Sequence, residues 1–412
     1  MMTPMLYIPL LTAAISMLSA HVMFRSVFRS RRALLEQGGL AGETDLRAPV
    51  HSISIVIPLR NEEKSLPGLL ADLQKQQAIE SVLIDPSVVP VDIILVDDES
   101  EDDTVQVAQS YGMRVIRTAP RPEGWLGKTW ACWTGAQAAQ GSHLLFLDAD
   151  VRLAPHALRS LVDSFRRHPV AQVLSVQPWH NIKTPYESLS SMFNLQVLLG
   201  LSGRRKCCFG PCILCERTAY DRIGGHRSVS DRVVEDIELG DRFCRAGIAV
   251  ASKLGRDEIQ FRMYPEGVVS LMNGWTKNIL PGSRLMSGGT RALDTVWIVS
   301  LMAMPLVIAF SLLFPAIFPA VFPAVFPTLS PIAAGQSWLR PVTLAIGILS
   351  YLLPGLQFHA LLRRAGSFPL WTSLAYPVMA WFFSFVFLRA LCYNWSGHRI
   401  GWKGRSVSPG GG

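Results

Sequence analysis

Pairs of carboxylates recur where apolar runs stop. Asp97 and Asp98 close the run Ile93–Val96, Asp148 and Asp150 follow Leu144–Leu147, and Glu235 and Asp236 open a periodic segment carrying Leu239 and Phe243. Two carboxylates one residue apart at a strand end can both face a divalent cation if the chain turns there. Their hard oxygens suit Mg2+ or Mn2+, and such an ion would neutralise a departing diphosphate. A carboxylate at position 236 has two readings. It can complement the positive end of a helix, or it can take a proton from an attacking hydroxyl as general base. Lys128, within GWLGKTW, is either a solvated loop lysine or a point cation for phosphate. His226 follows two glycines and either lines the acceptor or phosphate side, near Glu235, or braces its loop. Trp275 and Lys277 could stack on an acceptor and bind phosphate, or could simply anchor an interfacial segment.

These residues need a frame. Ser52–Pro58 reads as a buried strand, and Asn61, Glu62 and Glu63 start a helix whose apolar face holds Leu66, Leu69 and Leu73. Ile93–Val96 predicts a second strand, Asp103–Tyr111 a helix, Arg114–Arg117 a third strand and Leu144–Leu147 a fourth. Between the last two, Trp130–Ala139 predicts a small-faced helix that packs closely. Alternating strands and helices imply an α/β domain with a mostly parallel sheet, with the carboxylates at the strand ends where ligands gather. No G-x-G-x-x-G follows the first strand and no Walker motif is present, which argues against a dinucleotide dehydrogenase or P-loop enzyme. Cys212 and Cys215 form a C-x-x-C for which zinc is conceivable, but small buried hydrophobes in a strand are the stronger reading.

Charge is concentrated between about His51 and Arg291, and the rest is mostly apolar. The net charge of +8 comes without a zinc finger, an aromatic RNA-binding signature or a basic repeat, so nucleic acid is not the expected partner. Leu6–Val27 is an apolar run followed, not preceded, by FRSRR, which marks an anchor rather than a cleaved signal and places the next domain in the cytoplasm. Three further candidate regions are Val296–Ala324 with its FPA repeats, Val342–Leu362 and Leu370–Leu391. The expected organisation is an anchor at 1–30, a linker at 31–50, a catalytic domain at 51–291, about three spans within 292–393 and a basic tail at 394–412. A simple four-span arrangement would put that basic tail outside, unless the Pro-rich region dips twice or another segment is only interfacial. Almost no ionisable residues lie within the apolar runs after Arg291, unlike a transporter.

IVIPLRNE (Ile55–Glu62), VDDES (Val96–Ser100), DAD (Asp148–Asp150), GGH (Gly224–His226) and ED (Glu235–Asp236) occur in this order. Together they resemble the family 2 glycosyltransferases of GT-A fold. The resemblance implies that Pro58, Glu62, Asp97 and Asp98 line the nucleotide, and that Lys128 and Asp148 meet the diphosphate. It further implies that Asp148 and Asp150 serve a Mg2+ or Mn2+ ion and that Asp236 is the base of an inverting transfer, usually from a UDP-hexose. Processive members often carry Q-x-x-R-W; this chain reads GWTKNILPGSR in the corresponding stretch, which favours transfer of a single sugar. The anchor, the later spans, GWLGK and the terminal WKGR (Trp402–Arg405) look most like membrane members acting on carotenoids or associated with hopanoids, with ceramide glucosyltransferase-like proteins similar too. The expected acceptor is therefore a membrane lipid such as a carotenoid or another isoprenoid. Polyisoprenyl phosphates, served by Arg204, Arg205 and Lys206, sphingolipids and glycerolipids stay open, as does a non-catalytic scaffold keeping the fold.

Overall fold

The computed structural model describes residues 3–25, 27, 50–82, 89–168, 170–199, 208–321 and 339–407. Linker residues 31–49, Arg204–Lys206 and the last of the FPA repeats, from residue 322 on, lie outside the described residues.

Each strand-forming segment alternates its apolar side chains between two faces, and each face is covered by helices. On β1 (Ile53–Leu59), Ile53, Ile55, Ile57 and Leu59 pack with Leu66, Leu69, Leu70 and Leu73 of α2 (Leu66–Val82). Val56 points the other way, with Val96, toward Ala131, Cys132 and Ala136. α3 (Thr104–Ser110) follows β2 (Val91–Asp97) and leads to β3 (Val115–Arg117). α4 (Gly127–Ala138) then precedes β4 (His143–Leu147). Its close packing is as expected: a Cβ on Gly135 would lie only 2.4 Å from Val56 Cγ1. The helix starts earlier than predicted, however, so Lys128 sits on its first turn and not in a loop.

β5 (Val151–Leu153), α5 (Ala157–Arg166), β6 (Ala171–Gln177) and β7 (Trp179–His180) follow, then α6 (Ser191–Leu198), β8 (Cys212–Glu216) and α7 (Arg217–Arg222). α8 (Glu235–Arg245), β9 (Ala249–Leu254) and β10 (Ile259–Phe261) complete the domain. Among the described residues, seven strands form the central sheet in the order β3-β2-β1-β4-β8-β6-β9. The sheet is mixed rather than mostly parallel, because β8 runs antiparallel to both β4 and β6. Apolar runs report burial, not direction, which is why the sequence does not reveal that this strand runs antiparallel. Cys212 and Cys215 lie on β8 but belong to the clusters on opposite faces of the sheet, so they cannot converge on one ion.

Three described helices are long and apolar enough to cross a membrane: 288–313 within α10 (Gly288–Val321), 341–365 within α11 (Leu339–Ala365) and Tyr376–Ser396. The N-terminal helix α1 (Thr3–Met23) packs along α10 and α11. Outward-facing Leu306, Phe310, Leu344, Ile348, Val378, Trp381, Phe385 and Leu388 present an apolar exterior. α9 (Val268–Arg284) lies between the two parts, with Leu271 and Trp275 packed among the membrane-side core.

The third apolar region differs from the single run Leu370–Leu391. It breaks into α12 (Leu370–Leu374) and α13 (Tyr376–Ser396), and both ends meet the catalytic domain. Gly366 pairs with His180, and Ser367 N donates to His180 O. The chain then descends along α11 to turn at Tyr376. There Tyr351 donates to Leu374 O at 2.6 Å and its ring lies 5.0 Å from that of Tyr376. Tyr351 is some four turns from the catalytic end of α11, a descent of about 20 Å. α13 climbs back, and Arg389 donates to Thr276 Oγ1 and Asn273 Oδ1 on α9, each at 2.7 Å. The segment enters and leaves by the catalytic face. The basic tail therefore returns to the domain, where β11 (Ile400–Trp402) and β12 (Arg405–Val407) form a hairpin.

Candidate active site

The carboxyl ends of β1, β2 and β4 and the first turns of α4 and α8 converge on one cleft. Pro58 lies on β1 opposite Val96, and Leu59 opposite Asp97, so the two strand ends are in step. Beyond them Asn61 takes a positive φ of 51° and Glu99 one of 59°, which turns both loops over the cleft. Ser100 ties these loops, because Asn61 N donates to its Oγ and its own N donates to Asp97 Oδ1. Glu62 is fixed through Thr104, whose Oγ1 receives Glu62 N at 2.7 Å, and through Ser65, whose hydroxyl donates to Glu62 Oε2 at 2.5 Å.

Lys128 stands at the centre. Its Nζ lies 2.8 Å from Asp148 Oδ1 and 3.1 Å from Glu235 Oε1, and so joins the end of β4 to the start of α8. Burial alone would depress this lysine; Asp148 and Glu235, with Asp236 further off, outweigh it and hold the pKa well above the ordinary value. Asp150 is pushed up to about 7, first by burial and then by Asp148 and Glu62. This is a crowd of hard oxygen donors that a divalent cation would relieve. Among the described residues no group of three or more His, Cys, Asp or Glu side chains could hold an ion unaided. A cation beside Asp148 and Asp150 would therefore need further oxygens from a bound ligand to complete its shell.

Asp236 sits on the first turn of α8, where its Oδ2 accepts from Gly210 N at 2.6 Å. Burial and then Glu235 raise it to about 6, against the pull of Lys128 and the backbone amides of Gly210 and Ile237. Lys277, on α9, reaches the same cleft: burial lowers it to about 8, with Glu235 and Asp148 opposing and Lys128 and Lys403 reinforcing the fall.

Two expected residues are placed elsewhere. The His226 ring is buried against Phe146 at 4.6 Å, its Nδ1 is 3.0 Å from Tyr220 Oη, and its backbone N donates to the same oxygen. Burial drops its pKa to about 3, so it is a neutral brace of the loop. Trp275 stacks on Phe193 at 4.6 Å with planes 13° apart and meets Tyr264 edge-on. It belongs to the joint with the membrane helices and not to the cleft surface.

The basic tail also contributes residues to the cleft. Arg405 donates to both carboxylate oxygens of Asp98, at 2.5 and 3.2 Å, and to Glu99 Oε2 at 2.6 Å. Lys403 pairs with Glu62, and its carbonyl accepts from Arg60 Nε at 3.0 Å. Trp402 lies under Lys277, 4.7 Å from its Nζ, and edge-on to Tyr264. Gly127 makes room for this: a Cβ there would come within 2.0 Å of both Asp98 Oδ2 and Arg405 NH1. The only signal in the sequence was W-K-G-R itself, since nothing local shows that position 403 folds back onto position 62.

Residues 54–224 match the model of "Glycosyl transferase family 2". The 4,4'-diaponeurosporenoate glycosyltransferase of Staphylococcus aureus strain USA300 is 31% identical over 374 residues, covering 87% of this chain and 88% of its own. The chain belongs to glycosyltransferase family 2. The strain MRSA252 form of that relative is 32% identical over the same spans. Among solved structures, the mannosyltransferase PcManGT from Pyrobaculum calidifontis, in complex with GDP-Man and Mn2+, shares the fold. Its TM-score is 0.51 at 14% identity, with 92% of this chain and 99% of that one covered. This glycosyltransferase is thus related to carotenoid-modifying enzymes and joins a GT-A-like domain to helices of membrane-spanning length.

Proposed function

We propose that this glycosyltransferase moves a single hexose, from UDP-glucose, to a hydroxyl or carboxylate of a membrane lipid of the carotenoid or wider isoprenoid class, with inversion at the sugar carbon. The observation that carries the reading is the Lys128 bridge, which sets Asp148 at 2.8 Å and Glu235 at 3.1 Å from one ammonium. It brings the metal-type aspartates, the phosphate cation and the neighbouring Asp236 into one cleft.

Pro58, Glu62, Asp97 and Asp98 would line the nucleotide. Asp148 and Asp150 would hold a Mg2+ or Mn2+ ion, which when bound supplies charge neutralisation to the departing diphosphate. Lys128 and Lys277 add fixed positive charge beside that diphosphate. Asp236 accepts the proton of the acceptor hydroxyl as its oxygen bonds to the anomeric carbon and the bond from that carbon to the diphosphate breaks. Gly210 N–H orients this carboxylate. The acceptor reaches the cleft from the bilayer, along the side where α9 and α13 join the domain. Arg363 and Arg364 at the catalytic end of α11 support a cytoplasmic cleft.

The test is release of nucleoside diphosphate from a panel of UDP- and GDP-sugars by the full chain in lipid. Turnover of UDP-glucose that a chelator removes and Mg2+ or Mn2+ restores is the expected result. Turnover indifferent both to chelation and to Asp148→Asn would overturn the assignment.

A further inference from the structure

We propose that Lys403 is a donor-phosphate ligand delivered by the last hairpin of the chain, and that Arg405 and Trp402 are positioning residues that hold it over the cleft. The inference deepens the reading of this site as a nucleotide-sugar site and rests on it.

The hairpin turns through Lys403 and Gly404, at φ 45° and 76°. A two-residue turn with both central φ values positive is the form that matches strand twist, and it favours Asn or Gly at its first position. A lysine there gives up local stability. Its ammonium projects from the turn to Glu62, within the field of Asp150 and Asp148, at the end of the cleft where the diphosphate of a donor would lie. The other contacts of the hairpin serve to fix the turn. Arg405 is forked onto Asp98, Trp402 lies between Lys277 and Tyr264, and Arg60 holds the carbonyl of Lys403 itself. Lys128 is already shared between two carboxylates, so a diphosphate with two or more negative charges calls for cations beyond it. Lys403 meets that need by exchanging the carboxylate of Glu62 for a phosphate oxygen. The basic tail thereby becomes a wall of the donor site, and the return of α13 to the catalytic face is what brings it there.

The experiment compares binding of UDP and of uridine to the full chain in lipid nanodiscs, for wild type, Lys403→Met and Lys403→Arg. Loss of one charge-assisted contact to phosphate should weaken UDP roughly tenfold or more and leave uridine unchanged, with Lys403→Arg recovering most of the UDP affinity. A Lys403→Met protein that binds UDP as wild type does, or that loses uridine and UDP equally, overturns the proposal. The thermal midpoint without ligand, expected to stay within a few degrees of wild type, separates these outcomes from unfolding. If wild type binds neither UDP nor any other nucleoside diphosphate, the donor-site reading itself fails and takes the proposal with it.

Discussion

Replacing Asp236 with Asn removes a base while keeping an oxygen for the Gly210 amide, which donates to Asp236 Oδ2 at 2.6 Å. Positioned general bases contribute about 10²–10⁴-fold to rate, so kcat should fall by roughly 10³-fold with the donor KM within about twofold of wild type. The same substitution should stabilise the protein. The Asp236 carboxyl is held up at about 6, with burial the leading cause. Displacement from the ordinary carboxylate range corresponds to at most about 3 kcal/mol against the ionised form, and partial solvent access to the cleft reduces this to about 1–2 kcal/mol. The sign follows from linkage. The folded protein holds this proton more tightly than the unfolded chain does, so the contribution is unfavourable above about pH 6 and is relieved as pH falls toward 4. Asn, which never ionises, should raise the unfolding midpoint at pH 7–8 and gain nothing on acidification. In the wild type, kcat/KM should drop about tenfold per pH unit below about 6; the residual activity of the variant should be flat there. Steady-state kinetics from pH 5 to 8 and thermal unfolding in the same detergent measure both effects. Normal turnover in the variant, or turnover lost together with donor binding, would refute the role of Asp236 as base.

Gly210→Ala acts on the same carboxylate from the other side, since the new Cβ would lie 2.9 Å from Asp236 Oδ2. Displacing the base by a fraction of an ångström should lower kcat about 10–100-fold with little change in donor KM, checked by steady-state kinetics. Lys277, lowered to about 8 chiefly by burial, should lose its charge as pH rises past that value. Donor KM should therefore climb above about pH 8, and Lys277→Arg, which stays charged, should abolish the climb. His226→Ala should lower stability by about 1–3 kcal/mol, because the Tyr220 O–H loses its ring acceptor while its oxygen keeps only the backbone amide of residue 226, and leave donor KM unaltered, as unfolding and kinetics together would show.

The local part of this molecule was readable because burial writes itself into period-two and helical patterns. β1, β2, β4 and α8 fall within a residue or two of the segments read from the chain, with the carboxylates at their ends. What escaped detection was non-local. The antiparallel run of β8 depends on the path of the chain after α6, and a short apolar strand looks the same in either direction. α13 is apolar over most of its length, so composition reports a span; only the pairing of Tyr351 with Leu374 and of Arg389 with α9 reveals that it returns to its starting face. His226 and Trp275 are chemically capable residues whose burial the sequence could not show. Lys403 and Arg405 show the converse, since charges near a terminus suggest a solvated tail until the fold brings them to Glu62 and Asp98.

Sugar transfer to a membrane lipid is tested most directly by product mass. The full chain in lipid, given labelled UDP-glucose with Mg2+ or Mn2+ and a lipid extract from its source, should yield a lipid heavier by one hexose that carries the label. A ladder of added hexoses would contradict single transfer. Release of UDP across all lipid fractions without any glycosylated lipid would contradict the lipid acceptor.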